Sequence, residues 1–155
     1  MTAEQKLTEL GLRLPPAPKP GGVYQPVLVQ DNLAYVSGHG PLLDDQTYIT
    51  GRVGSDLDVD VAKDAARQTG LAILASLQLK FGSLDKVERL VKSFGMVNAD
   101  PGFSHHPQVI NGYSELMREV FGSENGVGSR SAVGMGSLPG NMVVEIEAVF
   151  KVSTD

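Results

Sequence analysis

Between residues 129 and 150 the chain carries three charged side chains: Arg130, Glu145 and Glu147. The rest of that stretch is apolar, small or a turn. A guanidinium is a planar fork that suits bidentate recognition of a carboxylate. From Met142 to Val152 the residues alternate. Met142, Val144, Ile146, Ala148, Phe150 and Val152 fall on one face of a strand, and Val143, Glu145, Glu147, Val149 and Lys151 on the other. The two glutamates therefore share a face, about 7 Å apart by two strand rises. Val143 and Val149 bracket them, so that face is not simply solvated. A half-buried carboxylate needs a cation, a donor or a raised pKa. Arg130 is thus a candidate for gripping a ligand carboxylate, and Glu145 and Glu147 are a half-buried carboxylate pair on the neighbouring strand. A surface ion pair satisfies the same pattern.

Other chemistry is thinly represented. His105 and His106 are adjacent and point apart on a helix, which with His39 makes a weak metal set. His39 follows a strand, where site residues often project. There is no cysteine, hence no thiolate nucleophile, disulfide framework or cysteine-based zinc site. Neither a G-x-S-x-G elbow, a phosphate-binding G-x-x-x-x-G-K loop nor an H-E-x-x-H helix occurs. The G-x-G pairs at Gly38–Gly40 and Gly134–Gly136 lack a third glycine and read as close packing in a sheet.

Several elements must position these residues. Thr2 and Gln5 form a capping box for a short helix over about residues 3–10. Residues 14–22, LPPAPKPGG, are a proline-rich connector. Residues 1–22 are therefore an appendage and 23–155 the domain. Two β-rich runs flank Asp31-Asn32 and predict a tight hairpin. A short strand is expected near Thr47–Thr50. Residues 59–81 have helical periodicity, with Asp58 or Asp60 at the start and Gly82 past the end. Val61, Ala62, Ala65, Ala66, Ile73 and Leu77 form its apolar set. Gly70, costly inside a helix, suggests close packing on a sheet. Residues 86–99 read as a strand and about 105–122 as a second helix, with Pro107 in its first turn. Residues 131–137 and 142–152 read as a hairpin turning at Leu138–Asn141. The order is β-β-(β)-α-β-α-β-β. It predicts an α+β fold, one mixed sheet with two helices on one face.

Both alternating sets of SAVGMGSL are apolar or small, and LVKSFGMV is nearly so. A sheet buried on both faces with two helices available implies a partner chain, so a homo-oligomer is expected. The chain of 155 residues carries 18 acids against 13 bases, a net charge of −5, with its bases scattered. Nucleic-acid binders present a basic patch or stripe; none is seen, and no nucleic-acid partner is expected. No apolar run approaches the ~20 residues that span a bilayer, and the N-terminus is not a secretory signal. A cytoplasmic location and no membrane partner are the expectation.

Arg130 to Phe150, RSAVGMGSLPGNMVVEIEAVF, resembles the C-terminal signature of the RidA (YjgF) family, roughly R-S-x-V-x-V-x-x-L-P-x-x-x-x-V-E-I-E-A. GGVYQPVLVQDNLAYVSGHGPL is similar to that family's opening G-P-Y-S-Q-A-V and its V-S-G-Q strand end, and Phe103 with INGY to its second-helix region. The resemblance implies a fold like trimeric bacterial chorismate mutase and a homotrimer with clefts between subunits. It implies hydrolysis of reactive enamines and imines to 2-oxo acids and ammonia, with neither metal nor organic cofactor. By the same resemblance Arg130 holds the substrate carboxylate, Glu145 positions water, and Tyr24 lines the cleft. Ser37, Gly38 and His39 form a wall or offer backbone donors, and Asn111 and Ser131 complete the binding set. The chain departs from the pattern at G-V-Y, at His39 in place of Gln, and at Asn111-Gly112-Tyr113 in place of Asn-x-x-Tyr. A trimer that binds 2-oxo acids without turnover is the alternative, and an endoribonuclease or translation inhibitor a third reading.

Overall fold

The computed structural model describes residues 1–155. In chain order the elements are α1 (Ala3–Glu9), β1 (Val27–Gln30), β2 (Leu33–His39), α2 (Val59–Phe81), β3 (Val87–Asn98), α3 (His106–Asn125), β4 (Ser129–Met135) and β5 (Val144–Val152). The strands form one five-stranded sheet in the order β1-β2-β5-β3-β4, antiparallel except for the parallel β3–β4 pair. This is the expected mixed sheet with two long helices on one face.

Local chemistry sets the element ends. Thr2 and Gln5 complete the capping box of α1. Asp58 caps α2 by accepting from the Val61 N–H at 2.9 Å, and Gly82 ends it in the left-handed conformation at φ 78°. Asp31-Asn32 is the two-residue hairpin turn between Gln30 and Leu33, with Asp31 at φ 55°. The core lies between sheet and helices. Val144, Ile146, Ala148, Phe150 and Val152 of β5 are all buried on the helix side, as alternation requires.

Four expectations need correction. β4 and β5 do not form a hairpin, because β3 lies between them. β3–α3–β4 is a parallel crossover unit that takes β4 to the outer edge. The turn at Pro139–Asn141 then carries the chain back to pair β5 with both β2 and β3. Around Thr47–Thr50 there is no strand, only isolated bridges between Leu42 and Tyr48 and between Thr50 and Met142. Gly70 faces the other helix instead of the sheet. A Cβ there would stand 2.7 Å from Leu116 Cδ2 and 3.3 Å from the Tyr113 ring, both on α3. Gly112 is the more demanding contact, since its Cβ would run into the Lys63 backbone carbonyl of α2. Val61, counted in the apolar stripe, is exposed at the start of α2.

The far face of the sheet has no helix. Its register aligns Leu28 with Tyr35, Tyr35 with Val149, Phe94 with Glu147, and Met96 with both Glu145 and Val133. Leu28 is 50% and Tyr35 44% exposed. Phe94, Met96 and Val149 are half-buried. An apolar patch of this kind marks an interaction surface.

Candidate active site

Glu145 and Glu147 project from β5 on the open face, as alternation predicts. β2 makes room for them with a bulge. Val36 pairs with Ala148 and His39 with Ile146, so Ser37 and Gly38 together oppose the single residue Glu147. Gly38 lies directly beneath the Glu145 carboxylate; a Cβ there would collide with Glu145 Oε1. No ion pair neutralises either glutamate. Burial, and then the like charge of Glu147, push the Glu145 carboxyl above its ordinary value. A carboxyl held above its ordinary value takes up and returns a proton at a higher pH than a solvated one.

Around Glu145 lies a cavity of about 660 Å3. Glu147, Tyr24, Ser37, Tyr48 and the connector residue Lys19 share its lining. The Tyr24 hydroxyl accepts from the Gly21 N–H at 3.1 Å, which folds the connector over the ring. Ser37 Oγ donates to the Gln25 carbonyl at 2.7 Å, leaving its lone pairs for a ligand.

The bulge also decides the fate of His39. Simple alternation groups it with Tyr35 and Ser37, but the extra residue turns its ring into the core, 4% exposed. His39 Nδ1 lies 2.6 Å from the Ser37 carbonyl and Nε2 2.7 Å from Ser76 Oγ on α2. Burial lowers its pKa below 6.5, opposed by the bond to Ser37. A neutral ring that donates from Nδ1 and accepts at Nε2 satisfies both contacts. The ring is held between Ser37 and Ser76, while His39 still lines the cavity.

Arg130 stands elsewhere. It pairs with Ser93 on β3, and its Nη1 donates to Asn111 Oδ1 at 2.8 Å and Ser114 Oγ at 3.0 Å, both on α3. Asn111 and Ser114 are three residues apart and share one helix face. That spacing was available as a sequence signal for Ser114, which the sequence reading missed. No carboxylate pairs with Arg130, and partial burial lowers its pKa. Its fork lines a second cavity of about 310 Å3 with Arg118 and Glu115. Arg130 is thus on the helix side of the sheet and Glu145 on the open side. Their register rows, Ser93 and Met96, are three residues or about 10 Å apart along β3. Within one chain the two groups do not meet. Ser131, next to Arg130, points to the open face, where it pairs with Phe94.

Tyr48 was also missed. It lies in the loop after β2, where no periodicity marks it. His105 and His106 sit at the start of α3, with Phe103 edge-on to both rings.

Comparisons with known proteins agree with this architecture. A family model described as YjgF/chorismate mutase-like, putative endoribonuclease matches residues 4–150. Protein TCP17 of Trypanosoma cruzi is 36% identical over 147 residues, covering 95% of this chain and 92% of that protein. A solved protein of unknown function from Agrobacterium tumefaciens is 40% identical over 97% of this chain and 92% of its own, with a TM-score of 0.89. A Shewanella oneidensis protein described as a putative endoribonuclease superposes at a TM-score of 0.93 with 26% identity, covering 98% of this chain and all (100%) of that one. RidA from an Antarctic Psychrobacter, 23% identical at a TM-score of 0.62 and covering 88% of this chain and 94% of its own, shares the fold.

Proposed function

The chain belongs to the YjgF/chorismate mutase-like family, and from that premise we propose that it hydrolyses 2-imino acids and their enamine tautomers to 2-oxo acids and ammonia, in a site built between copies of the chain. The observation that carries this reading is the Glu145 carboxylate, half-buried over Gly38 without a counter-ion and with its pKa raised. A second supports it: a guanidinium held by Asn111 and Ser114 and left without a carboxylate partner.

The chemistry asks little. The C=N carbon of a 2-imino acid is already electrophilic, so orientation and one proton relay suffice. Arg130 receives the substrate carboxylate as a fork. Water bound at Glu145 attacks the C=N carbon and passes a proton to the carboxylate. The resulting carbinolamine takes that proton on nitrogen, the C–N bond breaks, and its hydroxyl proton departs with the ammonia formed. The products are a 2-oxo acid and ammonia. Because Arg130 and Glu145 lie on opposite sides of the sheet, each chain supplies a Glu145 half-site and an Arg130 half-site to different neighbours. A closed ring of identical copies, a homotrimer, meets that need by symmetry. The exposed apolar face supplies the surface for it.

The test is an assay with 2-iminobutanoate generated by a pyridoxal-phosphate lyase and semicarbazide as competing trap. Arg130→Ala and Glu145→Gln should each lower kcat/KM by about 10²-fold or more, the scale of one general acid–base contribution. Full activity in either variant would contradict the mechanism. A non-catalytic trimer that binds 2-oxo acids is favoured by one observation, the altered cleft position His39, whose ring is committed to Ser37 and Ser76; binding of 2-oxobutanoate without turnover would select it. The endoribonuclease reading has the family description behind it and the acidic balance of the chain against it.

A further inference from the structure

The Glu145 cavity is large for a short substrate. At about 660 Å3 it falls in the range of sites for drug-sized ligands, roughly 300–1,000 Å3. A 2-imino acid with a methyl or ethyl side chain fills a small part of that space, even with a neighbouring copy's Arg130 at its carboxylate. Beside the carboxylates, Lys19 and Ser37, its lining includes the rings of Tyr24 and Tyr48, Met142 and three prolines.

Tyr48 is fixed in that wall by its loop. Leu43 N–H donates to the Thr47 carbonyl at 2.8 Å, Gln46 takes a left-handed φ of 68°, and Thr47 Oγ1 donates to Asp45 Oδ1 at 2.6 Å. On the other side Val143 N–H donates to the Ile49 carbonyl and Thr50 bridges to Met142, so the loop is anchored to the turn before β5. The ring then lies over Gly40, where a Cβ would stand 3.1 Å from Tyr48 Cδ1 and would strike the Met142 sulfur. Gly38 gives the same clearance to Glu145 two residues earlier. Tyr48 and the Glu145 carboxylate therefore sit side by side along the end of β2. Burial, and then the proximity of the Tyr24 phenol, raise the pKa of the Tyr48 hydroxyl above its ordinary value.

We infer that this cavity selects 2-imino and 2-oxo acids carrying an aromatic side chain, and that Tyr48 is the residue that sets the preference. The inference rests on the hydrolytic reading for the imine, but the cavity's choice of side chain can be measured without turnover. A substrate ring enters between Tyr24 and Tyr48, gaining offset or edge contacts with both rings beyond area burial. Glu147 and Glu145 together disfavour an acidic side chain in the same space.

The experiment is calorimetric titration of the native protein with phenylpyruvate, pyruvate and 4-methyl-2-oxopentanoate, alongside turnover of the imines of phenylalanine and alanine. Phenylpyruvate should bind at least about tenfold tighter than pyruvate, the scale of pocket discrimination by size, and tighter than the branched aliphatic acid. Tyr48→Phe should keep that ratio, and Tyr48→Ala should bring it to near unity. Equal affinities in the wild type, tighter binding of the aliphatic acid, or a folded Tyr48→Ala variant with the ratio intact would each overturn the inference. Should Tyr48→Ala fail to fold, the wild-type ratio decides alone. Selective phenylpyruvate binding with no imine turnover would end the hydrolytic reading and leave this one standing. Turnover with no preference for the ring would do the reverse, and no binding with no turnover would end both.

Discussion

Glu145 and Glu147 repel one another across two strand rises, and that repulsion has a measurable consequence. Desolvation raises the Glu145 pKa first and Glu147 adds to it. A base must be ionised to act, so kcat/KM should fall as pH drops through this raised value, above the ordinary glutamate range. Glu147→Gln removes the second cause and leaves the first. The acid limb of kcat/KM against pH should then move to lower pH without reaching the ordinary glutamate position. A limb that stays put, or moves up, would mean that Glu147 does not act on Glu145. At this scale the sequence was legible where alternation held. It placed both glutamates on one face and Val144, Ile146 and Phe150 on the other. It failed at His39, because a bulge at Ser37–Gly38 adds one residue to the count and turns the ring from the cavity to Ser76. Nothing in a period-2 pattern announces a bulge, although two glycines flanking the histidine are compatible with one.

The two long helices meet at glycines. Gly112 lets the α3 backbone approach the Lys63 carbonyl of α2, and Gly70 leaves room for Leu116. Gly112→Ala should therefore destabilise the fold by about 1–3 kcal/mol, the usual cost of overpacking, read as a lower urea midpoint at unchanged m-value. Because Asn111 is its neighbour and holds Arg130, the KM for substrate should rise as well. Wild-type stability in that variant would contradict the close helix crossing. Element types and boundaries were largely readable from caps and periodicity: Asp58, Gly82 and the capping box at Thr2 mark ends that the structure keeps. Pairing was not. A turn signal at Leu138–Asn141 suggests adjacent strands, yet the crossover through α3 puts β3 between them. Local turn chemistry carries no information about a strand laid down forty residues earlier. That pairing also moved Arg130 away from the glutamates, the largest change to the candidate site.

At the scale of the molecule, an apolar open face and the separation of Arg130 from Glu145 argue for the same thing. Leu28, Tyr35, Phe94, Met96, Val133 and Val149 share that face without a covering helix. The sequence signalled this surplus, since strands apolar on both alternations outnumber the helices able to cover them. It could not say which residues from which copy would meet, because register between chains is written in shape and not in spacing. The account predicts that neither Arg130→Ala nor Glu145→Gln is active alone, and that the two mixed are.

The decisive measurement is that complementation: Arg130→Ala and Glu145→Gln protein are dissociated, mixed in equal amounts, reassembled and assayed for 2-iminobutanoate hydrolysis. Random assortment in a cyclic assembly rebuilds a site with both groups intact at roughly a quarter of the interfaces, so about that share of wild-type activity should return. Activity that stays at the level of the separate variants after verified subunit exchange, or a wild-type protein fully active as a monomer, would contradict a site shared between copies.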